Sequence, residues 1–198
     1  MSEARSYSAS SCRWESYPWK NELQLQAERV ELHLEEAWDD DFAGEHSPLQ
    51  MLERALVLAA FSIRRMVEKN LVTDALSASI TPVRTFLATG DYRPPLKGSS
   101  GGQVFRNYNF EVPVFEQMKV GDIANEIIHS SQLLVFQGDG QGPDSGLLVA
   151  SDWHIRRRLL HLSRAEFRNI VNSVLDNEVS IMGDHWDPET GKVHSKRD

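Results

Sequence analysis

One cysteine, Cys12, is the whole thiol content of the chain. That excludes an internal disulfide and a cysteine-built zinc site. Long apolar runs are missing too. The longest, Ala55 to Ile63, is bracketed by Arg54 and Arg64 and is about half of the roughly 18–20 residues that span a bilayer. No membrane segment is expected. The opening residues Met1-Ser2-Glu3-Ala4-Arg5-Ser6 have no apolar core behind their charges, which does not read as a secretory signal. The expected setting is cytoplasmic. Basic charge is also in deficit, with 21 Lys and Arg against 29 Asp and Glu and a net charge of −8. Such a molecule repels a polyanion at long range, which argues against non-specific nucleic-acid binding by the whole surface. Nucleophile-elbow, HExxH, CxxC, kinase and phosphate-loop signatures are missing as well. Neither a metal nor a cofactor is expected.

What is present is ordinary for a folded domain: 40% hydrophobic and 25% charged residues over 198 positions, enough chain to bury a core. Residues 1–16 are serine-rich and aperiodic and read as a flexible arm. Residues 17–179 read as a single globular domain, and 180–198 as a polar tail. Leu23, Ala27, Val30, Leu34 and Trp38 recur every three or four positions, which predicts a helix from Pro18 to about Phe42 with Gly44 as its stop. Ser47, Pro48 and Gln50 form a capping-box start for a second helix, whose apolar stripe is Leu49, Leu52, Leu56, Ala59, Ile63 and Met66. The short link makes the two an antiparallel hairpin.

Thr73-Asp74 can cap a short turn. Ile80 to Leu87 favours extended structure, but Pro82 limits it to an edge strand or loop, and Pro113 argues likewise within the aromatic stretch from Val104 to Phe115. A third helix is expected from about Lys119 to Ser130. Leu133–Phe136, Leu147–Ala150 and Leu159–Leu162 then form a meander. Ser163 with Glu166 opens a last helix through a second capping box. The expected fold is therefore α+β, a mainly helical bundle with a small antiparallel β-meander inserted before the last helix.

Charge is uneven. Acids crowd positions 28–45, while arginines gather at Arg64 and Arg65 and between Arg156 and Arg168. Glu28, Glu31 and Glu35 share a helix face that can meet a basic protein partner; a solvated acidic surface is the plainer reading. Arg156 and Arg158, with Trp153 and His154 nearby, can form an RNA patch with an aromatic platform, or simply a charged strand edge. Arg156 and His161 have a suggestive spacing, but in a strand they point to opposite faces.

Asn125 and His129 lie four residues apart in Ala124-Asn125-Glu126-Ile127-Ile128-His129-Ser130 and so share a helix face. Here the chain resembles the HEPN family of helical-bundle proteins, many of them metal-independent RNases. Asn125 and His129 match the asparagine and histidine of the family's motif, whereas its arginine position is Ala124. The resemblance implies an RNase using His129 and Asn125, with a guanidinium from Arg64 or Arg65, or across a homodimer interface. It also implies a toxin–antitoxin or antiviral-defence setting. The structural reading has His129 meeting the helix C-terminal dipole and Asn125 tying a loop. The leading functional expectation is a non-catalytic protein-interaction module, which the resemblance would make a degenerate HEPN-like one, with the RNase as its alternative.

Overall fold

The computed structural model describes residues 15–37, 47–93, 104–137, 144–180 and 182–198. Helix α1 spans Tyr17–Glu36 and buries Leu23, Gln26, Val30 and Leu34. The helix expected to reach Phe42 is thus seen to Glu36, and Trp38, Phe42 and Gly44 lie outside the described residues. Helix α2 spans Pro48–Glu68 and packs along α1. Ser47 sits at its N-cap, but its side chain accepts no cap bond. Asn70 ends α2 at φ 55, with Leu71 N donating to Met66 O at 2.8 Å, because asparagine tolerates the left-handed conformation such a stop requires. A short helix α3, Asp74–Ala78, is capped by Thr73 Oγ1, which accepts from Leu76 N.

The expectation of a mainly helical bundle with a small meander is corrected by the next elements. Strands β1 (Ile80–Leu87) and β2 (Val114–Lys119) precede helix α4 (Val120–Ile128); β3 (Ser130–Phe136), β4 (Gly146–Ser151) and β5 (Arg158–Ser163) follow it. All five strands form one antiparallel sheet in the order β2-β1-β5-β4-β3. The meander is there, but β1 adds beside β5 and brings β2 with it. Pro82 misdirects the sequence reading. It pairs with Gln117 of β2, whereas β5 reaches only Arg84–Leu87. Pro82 therefore lies where β1 has a single neighbour, a place that tolerates a missing N–H.

Alternation along the strands sorts two cores. Val83, Leu147, Val149, Leu160 and Leu162 face α1, α2, α4 and the last long helix, α5 (Arg164–Leu175). Phe86, Leu148, Ala150 and Leu159 face the opposite side, where Val104, Tyr108 and Phe110 cover them. Ser163 and Glu166 close the expected capping box of α5. The stretch read as a polar tail carries a hairpin, β6 (Met182–Asp187) with β7 (Lys192–Arg197). Arg197 N ties it to Asp74 Oδ2 at 3.0 Å. Among the described residues no helix is long and apolar enough to cross a membrane.

Candidate functional site

Helix α4 is short and strongly amphipathic. It lays Val120, Ile123, Ala124 and Ile127 against the sheet and α2. Its C-terminus runs directly into β3, so His129 is fixed at the helix end, with its N–H donating to Asn125 O at 3.1 Å. The turn at 152–157, between β4 and β5, folds back over this end. Asp152 N donates to His129 O at 3.2 Å, and Ser131 Oγ bonds Asp152 Oδ1.

At this corner Arg64 of α2 comes in from the side. Its Nη1 lies 3.4 Å from His129 Nε2, while its Nε donates to Glu68 Oε1 at 2.6 Å. An arginine can only donate, so in this contact Nε2 of His129 is the accepting atom. Trp153 leans on the other side, its ring centroid 4.7 Å from that of His129, and 63% of its surface remains exposed. A guanidinium, an imidazole and an open indole thus meet at one half-exposed spot.

Asn125, one turn back on α4, opens instead onto an adjoining cleft of about 360 Å³ shared with Met118, Asp122, Glu126, Trp153, His154 and Arg158. Its Oδ1 is buried with no hydrogen-bond partner among the described residues. At the floor of the cleft lies Glu126, only 4% exposed. Its carboxylate accepts from Arg158 Nη2 at 2.9 Å and Ser151 N at 3.2 Å and meets Nδ1 of His154. Arg158 Nε also lies 3.3 Å from Glu116 Oε2. A buried carboxylate is tolerable only when its charge is matched in this way.

The remaining sequence candidates disperse. Arg65 turns away from its neighbour Arg64 and sits over the Trp19 ring at 5.8 Å. Arg156 is exposed and lies by Tyr92; burial pushes that phenol's pKa up and Arg156 pulls it partly back. Arg158 goes to the cleft, and His161 goes to the opposite face of the sheet, as the alternation of β5 requires. Glu28 accepts from Gln24 at 3.2 Å and is exposed. Glu31 and Glu35 are engaged within the chain: Arg164 of α5 bonds both, and Arg168 adds a 3.0 Å contact to Glu31. Those hydrogen bonds, Glu35 first, hold the Arg164 pKa further up.

Sequence reasoning passed over Glu126. The signal was there: an acid on the face of α4 that carries Ile123 and Ile127 has to be buried and partnered. Its partners could not be read, because Arg158 and His154 are distant in sequence.

No family model matches the chain, no curated protein is significantly similar to it, and no solved structure matches its fold.

Proposed function

We propose that this chain cleaves RNA by histidine acid–base chemistry at the corner of α2, α4 and the 152–157 turn. One observation carries the reading: the Arg64 guanidinium stands 3.4 Å from His129 Nε2 beside an indole left 63% exposed. The family motif that Asn125 and His129 resemble has an arginine where this chain has Ala124; Arg64 offers a guanidinium to the same imidazole from another helix.

Each group has a role its chemistry suits. Trp153 offers a face on which a base stacks. Arg64 binds a non-bridging phosphate oxygen through charge-assisted hydrogen bonds. Releasing His129 for the phosphate frees the Nε2 lone pair, which then takes the proton of the 2′-hydroxyl. The docking of a basic partner on α1 has less support, since Arg164 already occupies Glu31 and Glu35.

The test is incubation of the purified chain with end-labelled single-stranded RNA in EDTA. Cleavage is expected, falling by about 100-fold or more in His129→Ala, with the fold checked by circular dichroism. Arg64→Ala should lose rate and phosphate affinity together. Intact RNA after prolonged incubation, or a His129→Ala variant as fast as the parent chain, overturns the proposal.

A further inference from the structure

We infer that His154, aimed by Glu126, is the general acid that protonates the departing 5′-oxygen; this rests on the RNase reading above. The evidence is in how the ring is held. Its Nδ1 meets the Glu126 carboxylate, and Ser151 Oγ lies 3.2 Å from the same nitrogen. An ionised carboxylate only accepts, so Nδ1 is the donating nitrogen in that contact, and Nε2 is the nitrogen the carboxylate leaves for a substrate. The side chain is 33% exposed there.

Glu126 cannot drift. Ser151 N and Arg158 Nη2 grip its two oxygens, and Arg158 is braced by Glu116. A carboxylate that locks the tautomer and orientation of an imidazole is the arrangement acid–base histidines need. The neighbouring serine is no nucleophile. Ser151 is fully buried, and it approaches the same nitrogen as the carboxylate, so no Ser–His–Glu relay can form. Trp153 links the two imidazoles, its ring tilted by 49° against His129 while it lines the cleft with His154.

The step balances as follows. The O2′–H bond breaks and its proton passes to Nε2 of His129 while O2′ bonds to phosphorus. The P–O5′ bond breaks and O5′ takes the proton from Nε2 of protonated His154. The products are a 2′,3′-cyclic phosphate and a free 5′-hydroxyl. His129 then gives up one proton to water and His154 regains one, which restores the starting state.

The experiment compares an ordinary oligoribonucleotide with one carrying sulfur in place of the bridging 5′-oxygen, a leaving group that departs without an acid. His154→Ala is expected to lose about 100-fold on the oxygen substrate and to recover most of that rate on the sulfur one. His129→Ala should stay slow on both. Glu126→Gln, as a positioning change, should lose less and recover likewise. Should His154→Ala fail to fold, His154→Gln keeps a donor for Glu126 and carries the same comparison. Equal loss of His154→Ala on both substrates, or no loss on the first, overturns the inference while a slow His129→Ala leaves the RNase reading standing. An unaffected His129→Ala overturns that reading and this one together.

Discussion

The two faces of the sheet treat a histidine in opposite ways. On the helical side His154 is a third exposed, with a carboxylate on its Nδ1 and its ring lining a cleft. On the far side His161 is fully buried between Phe86 and Phe136, with ring centroids 6.2 Å and 5.7 Å away. Its Nε2 donates to Asp144 O at 2.8 Å, and its Nδ1 has no partner among the described residues. Burial pushes the pKa of that ring down, partly offset by the bond to Asp144. Burial among aromatic rings favours the neutral imidazole of His161, whereas a carboxylate in direct contact orients the ring of His154. Depth alone does not mark a functional histidine.

The comparison can be broken at either face. The largest effect is expected from Phe86→Ala, which empties the aromatic core beside His161 and should cost about 4 kcal/mol in urea unfolding, with cleavage by the folded fraction unchanged. Arg158→Ala strikes the other face. It leaves Glu126 buried with one cation fewer and should cost about 3 kcal/mol, and here cleavage should fall too.

Acid distinguishes the two rings next. The unfolded chain binds the His161 proton near the ordinary histidine value of 6.5, whereas the folded chain resists it. The contribution of the neutral ring is therefore complete above that value and is lost as pH falls below it. His161→Gln keeps a donor for Asp144 and cannot protonate, so its unfolding midpoint should decline less between pH 7 and 5 than that of the parent chain. A parallel decline in both would remove His161 from the account. The smallest effect is expected from Ser163→Ala, which removes the reciprocal bonds with Glu166 at the start of α5 and should cost about 1 kcal/mol. It should leave the cleft as it was.

Local pattern was informative wherever a segment finds its partners nearby. The stripe of α2, the Ser163–Glu166 box and the three runs that became β3, β4 and β5 are all readable, because period and caps depend on neighbours a few residues away. Strand β1 was half-readable: its composition is right, and Pro82 hides the pairing of its second half with β5. The hairpin β6–β7 is mostly polar in sequence, with Trp186 left 57% exposed, so no apolar alternation marks it as a pair of strands. The site divides along the same line. Asn125 and His129 were visible as one helix face, but their surroundings were not.

Water-avoiding periodicity therefore settled, from the chain alone, which stretches become helices and where the meander lies. Packing settled the rest. Arg64 reaches His129 across 65 residues and Arg158 reaches Glu126 across 32, while two neighbouring arginines on α2 part to different partners. Helical period fixes a side chain's direction around its own axis; what it meets there depends on how separate elements are set against one another, and that is a property of the whole packed chain.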